Sequence, residues 1–169
     1  SSIDACFKMP SMRVGTGYDI HRTHPDRRMV LGGVEIDCGF GLAGHSDADC
    51  LVHAIADAIL GAAGLPDIGH FFPNQDPSIK GISSLTILER AVEEAGRMGL
   101  RVANVDATLV AEQPKIGPYL AQMKEALALA LRLQPGDIGL KATTNEGSDD
   151  IGKGLAIAAH AICLLVPAV

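Results

Sequence analysis

The sequence predicts an α+β fold, an α/β sandwich in which a mixed sheet of four to five strands carries helices on one face. Three observations lead there: period-two stretches near both ends of the chain, apolar residues at helical spacing between them, and turn residues separating the two kinds. Arg13 to Ile20 alternates as a strand does. MVLGGVEI, from Met29 to Ile36, reads as a hairpin whose Gly32-Gly33 pair supplies the positive φ angles of a tight turn. HSDADCLVHAIADAILGAAG follows as the first helix; Ser46, with Asp49 three residues on, reads as a capping box with Asp in place of Glu, and Gly61 or Gly64 ends the run. LPDIGHFFPNQDPSIKG carries three prolines and no period, and its length predicts a functional loop. Leu85, Leu88, Val92, Ala95 and Met98 recur at helical spacing behind Ser83-Ser84, and Gly99 stops them. VANVDATLVAEQPKI is a strand running into a loop, and Pro118 sits in the first turn of a third helix ending near Leu133, before Pro135. IGLKATTNE and GLAIAAHAICLLV complete the set as strands.

At 169 residues the chain has the length of one domain, expected over 12–169, with residues 1–11 a flexible tail or processing remnant outside it. Those first residues lack the charged start and apolar core of a signal peptide. A formal charge of −6 argues against a general nucleic-acid binder, so an anionic substrate would need positive charge concentrated locally. Cys6, Cys38, Cys50 and Cys163 form no C-x-x-C pair, which points to a reducing compartment and away from thiolate zinc. The longest apolar run, Leu155 to Val166, is too short to span a bilayer and holds His160, so it reads as a buried strand and no membrane segment is expected. The strands are rich in Ala, Gly and Thr, and three helices rarely cover both faces of a sheet, so association through the other face is expected.

GTGYDIH, Gly15 to His21, raises the question of function. On a strand, Asp19 and His21 share a face while Ile20 points away. A third ligand for a metal could come from the first helix, where His45, Asp49, His53 and Asp57 recur every four residues as a polar stripe on an otherwise apolar helix. A buried stripe of this kind costs several kcal/mol unless it is paired or metal-bound. Two histidines and an aspartate suit zinc and leave a position open to substrate. His53, two turns into the helix, is the better anchored ligand; His45, at or just before the N-cap, can use its imidazole or backbone on a substrate, and spacing alone does not choose between them.

KATTNEG places hydroxyls, an amide and a carboxylate at a strand end, where threonines can hold phosphate oxygens and one Glu can hold magnesium through water. Lys115, between prolines in AEQPKIGP, can act as an electrostatic clamp. No P-loop, no G-x-G-x-x-G and no G-x-S-x-G elbow occurs, which disfavours ordinary nucleotide folds and acyl chemistry.

In order from about Met12 to Val166, GTGYDIH, GLAGHSDADCLVHAIADAILGAAGLPDIG, FFPNQDP, NVDATLVAEQPKI and KATTNE resemble the 2-C-methyl-D-erythritol 2,4-cyclodiphosphate synthase family. The resemblance implies zinc on Asp19, His21 and His53, and magnesium or manganese on Glu146. It implies His45 and Thr144 as catalytic, stabilising the transition state, and His45 and Ser46 as substrate contacts. Asp67, Ile68 and Gly69, with Phe72, Pro73, Asn74, Gln75 and Asp76, correspond to the erythritol side of the site. Ala111, Glu112, Gln113, Pro114, Lys115, Ile116, Gly117 and Thr143 correspond to the cytidine side. Asp19, Ile20, His21, Thr144, Asn145, Glu146, Asp150 and Lys153 complete the implied substrate contacts, and Asp49 and Asp57 are assigned to orienting the metal-bound histidines.

The family likeness further implies a homotrimer with active sites between subunits, in bacterial cytoplasm or plastid stroma. The implied reaction is that of a phosphorus-oxygen lyase: 4-diphosphocytidyl-2-C-methyl-D-erythritol 2-phosphate cyclises with loss of CMP, on the non-mevalonate route to isoprenoid precursors. An isoprenoid diphosphate in the trimer's central cavity is a further implication. There Lys153 stands where arginine is common and lacks its bidentate fork, and Asp150 stands where an aromatic can occur. Asn74 replaces an aspartate frequent in relatives, so no acid-base task falls to it.

Overall fold

A computed structural model describes residues 11–169. The tail expected over 1–11 therefore lies, for residues 1–10, outside the described residues. The strands are β1 (Arg13–His24), β2 (Met29–Leu31), β3 (Val34–Ile36), β4 (Gly41–Leu42), β5 (Leu100–Val110), β6 (Ile138–Thr143) and β7 (Ala156–Pro167). The helices are α1 (Cys50–Ala62), α2 (Ile68–Phe71), α3 (Ser84–Arg97), α4 (Leu120–Leu131) and α5 (Asp149–Gly152). Five strands form one sheet in the order β4-β1-β7-β5-β6, in which β5 and β6 run parallel and every other pair antiparallel. This is the mixed sheet the sequence predicts. The expected hairpin also forms, with Gly32 at φ 58° and Gly33 at φ 75°, but among the described residues β2 and β3 pair only with each other, outside the main sheet.

Alternation assigns the faces. On β7, Ile157, Ala159, Ala161, Cys163 and Leu165 are buried in the main core, while His160 and Ile162 are exposed on the other side. Helix α1 lies across β1 and β7, α3 packs on α1 and β5, and α4 packs on α3 and β6, so all three long helices share one face. The opposite face presents Val14 (71% exposed), Tyr18 (51%), Ile20 (44%) and Ile162 (54%). Among the described residues only α5 reaches that side, where Ile151 clusters with Val110, Ala156 and Ala158.

Helix α1 is apolar nearly all round, with every residue buried except Asp57 and Gly61, as befits a helix at the centre of a core. It sits unusually close to β1 because the strand offers it glycines. A methyl group at Gly17 would overlap the carbonyl oxygen of Ala54, and one at Gly15 that of Ala58. The N-terminus of α1 differs from expectation. Its N-cap is Asp49, whose carboxylate accepts the Val52 N–H at 3.1 Å, and not Ser46. Ala48, at φ 60°, breaks the helical path before Asp49, and the Ser46 hydroxyl instead accepts the Ala48 N–H in a local turn. Asp49 reaches further, accepting the N–H groups of Gly32 at 3.0 Å and Gly33 at 2.7 Å, so one buried carboxylate fixes both the helix start and the hairpin turn. Burial lifts that carboxyl to about 6, against the pull of the three backbone donors.

The glycines give a paired stability test. Gly17→Ala has no room against helix backbone and is expected to destabilise the fold by about 3 kcal/mol. Gly96→Ala, in an exposed turn of α3 where an added Cβ meets nothing within 4 Å, is expected to stabilise it by about 0.5–1 kcal/mol. Urea unfolding of both variants against the parent chain measures each shift.

Candidate active site

Strand β1 turns Gly15, Gly17, Asp19 and His21 toward α1, and the close approach at the glycines carries His53, the residue just before Ala54, onto Asp19. Asp19 Oδ2 lies 2.8 Å from His21 Nε2 and 3.1 Å from His53 Nδ1. One ligand atom from each of the three residues falls within 4.8 Å of the others, the arrangement a metal ion needs. His21 Nε2 is buried and makes no aligned hydrogen bond even with Asp19, 2.8 Å away, which leaves it the kind of orphaned polar atom that a bound cation satisfies. The donor set of one carboxylate and two imidazoles fits a borderline divalent cation. Ile20 faces away, as period two requires.

The far nitrogens are also held. His21 Nδ1 is 2.8 Å from the Ala43 carbonyl oxygen, and His53 Nε2 lies 2.8 Å from Ser84 Oγ and 3.2 Å from Ser46 Oγ. Asp49 and Asp57 do not perform this service, contrary to expectation. Asp49 is engaged with backbone at the hairpin, and Asp57 accepts the Ile68 N–H at 3.0 Å to start α2, its carboxyl raised chiefly by burial. The polar stripe is also broken, because His45 precedes the helix and lies exposed. Its place beside the histidines is taken by Ser84, which Asp47 holds in turn, a pair that sequence spacing did not single out. The signal was present in Ser83-Ser84, where only a helix cap was read.

Burial acts to raise the Asp19 carboxyl, but the adjoining imidazoles of His21 and His53 outweigh it and hold it at about 2. Burial likewise acts to lower His21, and there the adjoining Asp19, helped by the Ala43 carbonyl, prevails and raises the imidazole above its ordinary value.

Beside the metal-ligating group opens a cavity of about 650 Å3 lined by residues that include His45, Ser46, Asp47, Asn74, Asp76 and Lys80. Ser46 joins the two, lining the cavity while its hydroxyl reaches His53. The turn that carries His45 and Ser46 is gripped by Arg27, which donates to the Gly44 carbonyl at 2.8 Å and the Ser46 carbonyl at 2.7 Å. Arg27 was not anticipated either, since a basic side chain that serves backbone oxygens leaves no motif. Asp67 caps α2, Phe72 closes it and packs against the core, and Asp76 caps the short turn Pro77–Ile79. The loop read as irregular is thus built from two short helical turns.

Ala111 to Gly117 and Thr143 to Glu146 come together as a second cluster. The Ala111 N–H donates to the Thr143 carbonyl at 3.0 Å, and the Asn145 N–H to Glu112 Oε1 at 2.9 Å. Gln113–Pro114 is a cis peptide, Lys115 is exposed, and the Thr144 hydroxyl accepts the Glu146 N–H at 3.3 Å. Asp150 and Lys153 are exposed nearby on α5 and its C-cap. This cluster stands apart from Asp19. In the sheet register Ile20 pairs with Ala158, Ala158 with Val110, and Val110 with Thr143. Three strand spacings of about 4.8 Å therefore separate the two clusters by about 14 Å along one row.

A mixed sheet covered on one face by helices, with two histidines and a carboxylate converging beside an open groove, defines an α+β protein with a candidate metal-binding group. The chain matches the model of the YgbB family over residues 12–166 and belongs to that family. A relative from Gloeobacter violaceus, 2-C-methyl-D-erythritol 2,4-cyclodiphosphate synthase, is 53% identical over 154 residues, covering 91% of this chain and 94% of its own. The structure of IspF from Plasmodium falciparum as a CDP complex has a TM-score of 0.82 and 32% identity, covering 95% of this chain and 99% of that one. The bifunctional IspDF from Campylobacter jejuni superposes with a TM-score of 0.89 at 35% identity, covering 94% of this chain but 43% of that longer one.

Metal binding tests this geometry. His53→Ala is expected to abolish binding of a zinc ion and His45→Ala to retain it, as read by competition with a chromophoric chelator. Because Asp19 favours the protonated form of His21, the proton competes with the metal up to a higher pH than at a free imidazole. Affinity should therefore fall as pH is lowered from about 8 to about 6, and Asp19→Asn should move the fall to lower pH as well as weaken binding.

Proposed function

We propose that this chain converts 4-diphosphocytidyl-2-C-methyl-D-erythritol 2-phosphate to 2-C-methyl-D-erythritol 2,4-cyclodiphosphate and CMP, in the non-mevalonate pathway to isoprenoid precursors. The observation that carries the reading is the family match across residues 12–166. The geometry adds the convergence of Asp19, His21 and His53 beside the groove of His45 and Ser46. CDP in a solved relative supports a cytidine diphosphate-linked substrate.

In this reading Asp19, His21 and His53 hold zinc, and Glu146 holds magnesium or manganese. When bound, the two cations offset the negative charge of the phosphates and polarise the group under attack. The nucleophile belongs to the substrate. A phosphate monoester with a second pKa of about 6 is mostly a dianion near neutrality, so the protein need not supply a strong base. An oxygen of the 2-phosphate bonds to the β-phosphorus, the bond from that phosphorus to the oxygen shared with the α-phosphate breaks, and CMP leaves with the electron pair. The protein's task is to bring the two phosphates into line. His45, on a turn fastened by Arg27, and the hydroxyl of Thr144 steady the transferring group. Asp67 to Gly69 and Phe72 to Asp76 contact the erythritol, and Ala111 to Gly117 with Thr143 the cytidine.

The residues 12–169 act as one domain, and the working unit is a homotrimer with its sites between subunits. Two observations support this. The sheet face opposite the helices exposes Val14, Tyr18, Ile20 and Ile162, and the metal-ligating and Thr143–Glu146 clusters stand about 14 Å apart in one chain, so a neighbour can bring one up to the other. Asp150 and Lys153 then border the central cavity in which an isoprenoid diphosphate would lie. Among the described residues no helix is long and apolar enough to cross a membrane. Bacterial cytoplasm or plastid stroma is the proposed location.

Phosphorus NMR of the chain with the cytidine substrate, zinc and magnesium tests the activity. CMP and a cyclic diphosphate are expected, without inorganic phosphate. Linear products would favour a hydrolase, and no conversion by folded, metal-replete protein would refute the proposal. Sedimentation should give a trimer for the parent chain, and Ile162→Lys, which places a charge on the exposed apolar face, is expected to shift it to monomer.

A further inference from the structure

We infer that Ser84 and Asp47 are positioning residues for the metal centre: together they fix the proton of His53 on Nε2 and so leave Nδ1 free to ligate. The inference rests on the proposed metal reading of Asp19, His21 and His53. Ser84, the first residue of α3, is fully buried, and its hydroxyl is the nearest partner of His53 Nε2, at 2.8 Å. Distance alone leaves the direction of that bond open, because a hydroxyl both donates and accepts. Asp47 decides it. Its Oδ2 accepts the Ser84 N–H at 2.9 Å, its Oδ1 accepts the Asp49 N–H at 3.2 Å, and Oδ1 is also in close contact with the Ser84 hydroxyl. Both Asp47 oxygens already act as acceptors of backbone N–H groups, so the Ser84 proton points to Asp47 and the Ser84 lone pairs face His53. His53 must then donate from Nε2, and its Nδ1, 3.1 Å from Asp19 Oδ2, carries the lone pair that a cation requires.

Ser46 does not substitute. Its hydroxyl, 3.2 Å from the same nitrogen and accepting the Ala48 N–H, could donate to Nε2 only by leaving that nitrogen's lone pair facing the lone pairs of the nearer Ser84 oxygen at 2.8 Å. The chain of contacts thus runs from Asp47 through Ser84 and His53 to Asp19, linking the N-terminus of α3 to a ligand on α1 and a ligand on β1.

Ser84→Ala removes the acceptor. Asp47→Asn keeps the shape but puts an NH2 opposite a group that needs an acceptor, which favours the reversed direction. Both are expected to weaken zinc binding by about 10- to 100-fold, by competition with a chromophoric chelator. Urea unfolding of the metal-free proteins separates this from loss of fold. In zinc-loaded, 15N-histidine-labelled parent protein, a long-range nitrogen-proton spectrum should show His53 protonated at Nε2 and ligated through Nδ1. Ligation through Nε2 overturns the inference, as does zinc binding by either folded variant within about threefold of the parent. A parent chain that binds no zinc defeats the metal reading and the inference with it. Parent binding with unaffected variants defeats the inference alone. If neither variant folds, the parent spectrum still decides.

Discussion

The contact on which the molecule depends is that of α1 on β1, where Ala54 and Ala58 lie against Gly15 and Gly17 with no side chain between the two backbones. Ordinary helix-on-sheet packing leaves room for a layer of side chains. Here that layer is missing at two positions, and the helix sinks until the imidazole of His53, next to Ala54 in the chain, reaches a carboxylate on the strand. The remainder of the centre is arranged about this contact. The Ala43 carbonyl orients His21, α3 presents Ser84 to His53, and Asp49 ties the start of α1 to the hairpin.

The distribution of acid explains how a chain of net charge −6 can be proposed to handle a phosphorylated nucleotide. Asp49, Asp57, Asp67 and Asp76 each accept a backbone N–H at the start of a helical segment. Charge placed at a helix start is offset by the dipole and the unpaired donors there, so it projects less onto a ligand than its count implies. Arg27 is used in the complementary sense, satisfying two carbonyl oxygens around His45. The composition hence overstates how hostile the surface is to anions.

Much of this was legible in the sequence because period-two and helical periods report burial directly. Asp19 and His21 on one face with Ile20 on the other, the Gly32-Gly33 turn, and the three long helices all follow from such patterns. What escaped was contact between elements distant in sequence. His45, Asp49, His53 and Asp57 looked like one stripe because a helix was continued through Ala48, whose left-handed backbone no pattern announced. Ser84 looked like a cap residue, since its distance from His53 is 31 residues along the chain and 2.8 Å in space. Short β4, α2 and α5 carry too few residues to show any period.

Strand β1 also constrains what length changes the chain can tolerate. Its odd residues meet the helix and the putting of Tyr18 and Ile20 on the other side uses the even ones. Insertion or deletion of one residue between Gly15 and His21 would exchange the sets, burying a tyrosine under α1 and turning the ligands outward. Insertion of two would restore the faces but carry the glycines away from Ala54 and Ala58. Side chains on the outward face can vary one at a time, whereas the phase of this segment cannot drift at all, so in descent from a common ancestor it should accumulate substitutions and never gaps.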